Sequence, residues 1–159
     1  MKEPAIGSYG LVRTKTVSAW FIQLGTKSFF DHAFIYLGEG RIAEATPRKG
    51  IHISDVHSYS NIAWNKHEPF TQVEGIAIAS AAESFVGQKY LFRAIVAIAF
   101  KIFHIPLPKR LFGDLDKAHG AICSEFVVKA RRKAGVPIEG TKFDYLVSPA
   151  DLANRLLYI

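Results

Sequence analysis

At 159 residues with 49% hydrophobic content, the chain is long enough to bury one core but hardly two, so a single domain over residues 1–159 is expected. Twenty Lys and Arg against 14 Asp and Glu leave a formal charge of +6, a bias toward anionic partners such as phospholipid, cell-wall polymer or nucleic acid that a merely solvated surface would share. The single cysteine, Cys123, excludes an internal disulfide, a Cys-X-X-Cys redox pair and a Cys-rich zinc site, and leaves two roles for itself, inert packing or chemistry.

The opening residues, Met1 to Gly7, lack the basic start and apolar stretch of a secretory signal, and no later run reaches the roughly 18 apolar residues of a membrane span. A cytoplasmic protein is expected as encoded, or one carried to the envelope by a route outside this sequence. The basic residues are scattered apart from Lys101, Lys109 and Arg110 and the run Arg131-Arg132-Lys133, and no nucleic-acid motif accompanies them.

Along the chain, Val17, Trp20, Phe21 and Leu24 follow helical spacing before Gly25, which predicts a short amphipathic helix. His32 to Gly38 is rich in strand formers, Glu39-Gly40 is a turn signal, and Arg41 to Ala45 returns as a partner strand before Pro47: a hairpin. Phe70 to Val73 reads as a further strand and Ile76 to Val86 as an Ala-rich helix closed by Gly87. Leu91 to Ile105 is almost wholly apolar but interrupted by Arg93 and Lys101, which suits a core helix or an interfacial segment equally. Ile122 to Ala134 is the clearest helix, with its start at Cys123, basic residues in its last turn and Gly135 just past its end. Ser148-Pro149-Ala150-Asp151 has the pattern of a capping box and launches a terminal helix through Leu157. Strands followed by helices predict an α+β domain, with a small antiparallel sheet packed against helices.

A thiol attacks as its thiolate, and the unpaired N–H groups of a helix N-terminus favour that anion. They would also receive the oxyanion of a tetrahedral intermediate, so the position of Cys123 suits a nucleophile. It equally suits a small buried hydrophobe. A nucleophilic thiol needs a base, and six histidines compete: His32, His52, His57, His67, His104 and His119. His32 opens a strand, where rigid backbone holds an imidazole in fixed geometry, whereas His57 and His67 fall in polar, loop-like sequence and His104 in an apolar run. With the turn centred on Glu39, Phe34 opposes Glu44, and His32 and Glu44 become diagonal cross-strand neighbours on one face. Glu44 would then orient the imidazole as the third member of a triad. A one-residue slip would instead turn Glu44 to the opposite face as a solvated strand residue.

These residues carry a resemblance. Thr26 to Gly38 around His32, Ile42-Ala43-Glu44-Ala45-Thr46-Pro47 with Gly50-Ile51, Gly87-Gln88-Lys89-Tyr90, and Ile122-Cys123-Ser124-Glu125 to Val128 together resemble the circularly permuted branch of the NlpC-type, papain-like cysteine peptidases. In that branch the histidine strand precedes the cysteine helix. The resemblance spans nearly the whole chain and implies a permuted papain-like fold, with Cys123 as nucleophile, His32 as base and Glu44 as the polar third residue. Tyr90 matches a tyrosine near the family's substrate subsite, although many members follow it with Asp where this chain has Leu91; structural packing is the alternative role. Ser124 and Glu125 are helix-start residues that suit the dipole rather than attacking groups.

The implied activity is amide-bond hydrolysis in cell-wall peptides through a thioacyl-enzyme, with no metal or organic cofactor. Relatives similar to lecithin retinol acyltransferase use the same residue set on lipid esters, so the expected partners are a peptide or lipid substrate and an anionic polymer or membrane surface. A non-catalytic module binding such a surface through its basic face is the alternative of a different class.

Overall fold

The computed structural model describes residues 3–14, 29–65, 70–89, 123–138, 147 and 149–157. Five strands form one antiparallel sheet: β1 (Tyr9–Val12), β2 (His32–Gly38), β3 (Arg41–Thr46), β4 (Gly50–Asp55) and β5 (Ala63–Trp64), in the spatial order β4-β3-β2-β1-β5. A single 3-10 turn, Val56–Ser58, leads out of β4. Among the described residues the helices are α1 (Gln72–Glu83), α2 (Cys123–Lys133) and α3 (Pro149–Leu157). The protein is therefore α+β.

The expected hairpin is present in the expected register. Phe34 opposes Glu44, Ile35 opposes Ala43 and Tyr36 opposes Ile42, with an irregularity between Tyr36 and Gly38. Its two-residue turn needs left-handed backbone at both positions. Glu39 has φ 54° and Gly40 φ 71°, so Gly40 relieves half of that demand and Glu39 accepts the other half.

Every residue of the central strand β2 is buried, because the sheet is covered on both faces. Odd-numbered residues Ala33, Ile35 and Leu37 join Tyr9, Leu11, Ala43, Ala45 and Ile51 in a core shared with the helices, through Ile78 and Ala82 of α1 and Phe126, Val127 and Ala130 of α2. Even-numbered Phe34 and Tyr36 join Val12 and Ile42 in a smaller cluster, packed against Val56, Tyr59, Ile62 and Trp64. This double burial explains why His32 to Gly38 reads as a nearly continuous apolar run rather than an alternating one.

The strand expected at Phe70–Val73 is not formed. Thr71 accepts a hydrogen bond from the Glu74 amide at 3.2 Å, and the Glu74 carboxylate accepts one from the Thr71 amide at 2.6 Å. This reciprocal cap starts α1 at Gln72 and outweighs the β-propensity of Phe70 and Val73. Strands β1, β4 and β5 were not expected. The predicted helix at residues 17–24 and the apolar stretch 91–105 lie outside the described residues, as does Ser148 of the predicted cap before α3. Among the described residues no helix is long and apolar enough to cross a membrane.

Helix α2 is seated by more than its apolar face. The Arg131 guanidinium lies 5.7 Å from the Phe70 ring centre, and the Lys133 ammonium 5.0 Å from that of Phe85 while donating to Ser84 Oγ at 2.6 Å. Two of the three residues of the basic run thus engage the protein's own aromatic rings at α1. Phe126 is fully buried, with its ring edge-on to Phe85 at 6.3 Å. Truncation by Phe126→Ala is expected to destabilise the protein by about 3–5 kcal/mol, read as a lowered urea midpoint without a change of slope.

Candidate active site

The start of β2 and the start of α2 meet at the expected residues. His32 is the first residue of β2 and Cys123 the first described residue of α2. They are brought together because α2 packs its apolar side on the helix-facing residues of β2, which sets its N-terminus beside the strand's beginning. The sulfur of Cys123 lies 3.9 Å from the carbonyl oxygen of Asp31, a residue 92 positions away in sequence. Asp31 is held in turn by Thr14, whose amide and hydroxyl donate to its Oδ1 at 2.8 and 2.7 Å.

Glu44 holds the imidazole by one nitrogen. His32 Nε2 and Glu44 Oε2 are 2.6 Å apart, and the diagonal relation follows directly from the observed pairing of Phe34 with Glu44. Nε2 is committed to the carboxylate, so Nδ1 is the ring nitrogen that Glu44 leaves free. Cys123, His32 and Glu44 are 2%, 8% and 4% exposed, so the three polar groups interact in a largely water-excluded setting.

Burial by itself would depress the basicity of His32. Hydrogen bonding to the Cys123 and Glu44 side chains, and the charges of both, outweigh it and raise the imidazole from 6.5 to about 10. Burial likewise opposes the ionised form of Glu44. The hydrogen bond and charge of His32, with further hydrogen bonds from Ser54 and Tyr59, prevail and hold this carboxyl at about 2. The pair is thus an ionised carboxylate beside a strongly basic imidazole.

The carboxylate has more partners than the sequence suggested. Tyr59 donates its hydroxyl to Oε2 at 2.6 Å, Ser54 donates to Oε1, and His52 brings Nε2 to 3.4 Å from Oε1. His52 is also the cross-strand partner of Glu44, and its Nδ1 donates to the carbonyl of Gly50 at 3.1 Å. Burial and the neighbouring Glu44 carboxylate raise the Tyr59 phenol far above its ordinary range, so this group stays a donor. His52 and Ser54 carried a faint signal, since Ile51-His52-Ile53-Ser54 alternates with a strand's period. Tyr59 carried none, because it lies past a 3-10 turn whose path no local pattern reveals.

The other candidates divide. His57 is exposed on the 3-10 turn and paired with Asp55 at 2.7 Å, away from this cluster. Ser124 is fully buried and donates to the carbonyl of Val147 at 2.6 Å, and Glu125 pairs with Lys129 at 2.7 Å, so both have structural partners. Tyr90, His67, His104 and His119 lie outside the described residues. Among those described, no group of three or more His, Cys, Asp or Glu side chains has the arrangement of a metal site. No protein-family model matches this sequence, and no match to a curated protein was found.

The coupled pair makes stability depend on pH in two windows of opposite sign. His32 is raised on folding, so its contribution is complete below pH 6.5 and is lost as pH rises toward about 10; Glu44 is lowered, so its contribution is complete above pH 4.5 and is lost as pH falls toward about 2. Urea unfolding across pH should therefore show wild-type stability declining between pH 6.5 and 10 more steeply than that of His32→Gln. Parallel curves over that range would show that His32 gains no proton affinity on folding.

Proposed function

We propose that this protein is a cysteine hydrolase of the circularly permuted papain-like type, cleaving amide bonds of cell-wall peptides through Cys123, His32 and Glu44. The observation that carries the reading is the buried imidazole of His32, bonded to a carboxylate at 2.6 Å, with the only thiol in the chain 3.9 Å from the carbonyl of the preceding residue, Asp31. The chain order supports the permuted form, because the strands bearing His32 and Glu44 precede the helix that begins at Cys123. The amide substrate follows from the resemblance to NlpC-type peptidases.

In the proposed reaction the thiol proton rests on the strongly basic His32, and the Cys123 thiolate of this ion pair attacks the substrate carbonyl carbon. Backbone N–H groups at the start of α2 receive the resulting oxyanion, where the helix field favours negative charge. The imidazolium then gives its proton to the departing amine, and a thioester remains on Cys123. Water attacks that thioester with His32 taking one of its protons, which releases the carboxylic acid product and restores the imidazolium–thiolate pair. Glu44 holds the ring by Nε2 throughout and stabilises the imidazolium stage.

Incubation with muropeptides and, separately, with phospholipid vesicles tests both the chemistry and the substrate. Muropeptide cleavage is expected, with Cys123→Ala reducing it to background and His32→Ala lowering kcat/KM by about 10²–10⁴-fold. Turnover of lipid alone would replace the amide by an ester substrate on the same residues. Cleavage that survives in Cys123→Ala would remove the thiol from the mechanism, and binding to vesicles without turnover of either substrate would favour a non-catalytic surface-binding module.

A further inference from the structure

One oxygen of Glu44 is shared. Oε2 receives His32 Nε2 and the Tyr59 hydroxyl, each at 2.6 Å, while Ser54 engages Oε1. A carboxylate held through a single contact can still turn about its terminal bond. Anchoring each oxygen with its own hydroxyl fixes the plane, and with it the direction in which His32 is held.

The Tyr59 ring is itself set in place by aromatic packing. It stacks on Phe34 with centroids 5.3 Å apart and planes 17° from parallel, and lies 5.6 Å from the His32 ring. Phe34 can occupy that position because the adjoining residue of β1 is Gly10: a Cβ there would approach the Phe34 ring to 2.5 Å. A line of contacts thus runs from a side-chain-free position on β1, through two stacked rings, to the hydroxyl on Glu44.

We infer that Tyr59 is a positioning residue for the thiol chemistry proposed above, its hydroxyl locking the Glu44 carboxylate and through it the His32 imidazole. This inference rests on the Cys123–His32 reading and adds to it a residue that touches neither the sulfur nor the reacting atoms. Tyr59→Phe isolates the hydroxyl, because it preserves the ring that stacks on Phe34.

The test is the rate at which iodoacetamide alkylates the intact chain at pH 7, read by mass, where the single cysteine makes the product unambiguous. Tyr59→Phe should slow alkylation about tenfold, the scale of one hydrogen bond to a charged group. In a Glu44→Ala background the same change should have an effect of less than about twofold, because its route to the imidazole is gone. Should Glu44→Ala fail to fold by circular dichroism, His32→Ala serves as the background with the same expectation. Equal slowing by Tyr59→Phe in both backgrounds would mean a structural role and overturn the inference. An unaffected rate in Tyr59→Phe, with Glu44→Ala or His32→Ala slow, would overturn it while leaving the His32–Cys123 pair intact. Wild-type rates in both His32→Ala and Glu44→Ala would remove the activated thiol itself, and this inference with it.

Discussion

The buried contact between the carboxylate of Glu44 and the imidazole of His32 is the interaction on which the site depends. Removing a carboxylate from water costs several kcal/mol, and a lone imidazole partner seldom offsets that loss. Here the loss is spread over hydrogen bonds from His32, Tyr59 and Ser54, with His52 close by. Glu44 can therefore stay ionised at 4% exposure. An ionised Glu44 in turn makes His32 strongly basic despite its own burial. Each group is held in its charge state by the other, and the surrounding hydroxyls let the arrangement exist in a low-dielectric setting.

The sheet makes this arrangement reproducible. Residues of one parity on β2 face the helices, and those of the other parity face the smaller aromatic cluster, so a one-residue slip would exchange the two sets. Both sets are buried, which makes such a slip costly in two cores at once. His32 and Glu44 share a face through this constraint, and the left-handed turn at Glu39 and Gly40 maintains it from the hairpin's closed end.

The placement of Cys123 depends on a separate set of contacts. Helix α2 lies against β2 through Phe126, Val127 and Ala130 and is tied to α1 by the Lys133 contact with Phe85 and Ser84. Its far end is basic and directed at aromatic rings, and its near end carries the thiol. The positive charge that the composition offers to anionic partners is thus partly engaged within the protein at this helix. A rigid helix on a rigid sheet is what allows a thiol and an imidazole to share a fixed geometry.

Local pattern was enough to identify the β2–β3 hairpin and the helix at Cys123, and a turn centred on Glu39 was enough to bring His32 and Glu44 to one face. Each of these rests on short-range periodicity, turn chemistry or capping, which neighbouring residues encode directly. The same local rules misplaced Phe70 to Val73, because the apolar residues there suited a strand while the Thr71–Glu74 cap, equally local, began a helix. What only the tertiary structure decided was the approach of the Cys123 helix to the start of the His32 strand, 91 positions apart in sequence, and the gathering of His52, Ser54 and Tyr59 around Glu44. Those contacts arise from the packing of α2 on the sheet and from the path of the chain after β4. No residue's immediate neighbours carry that information, because the free energy that selects such contacts comes from burying distant surfaces together.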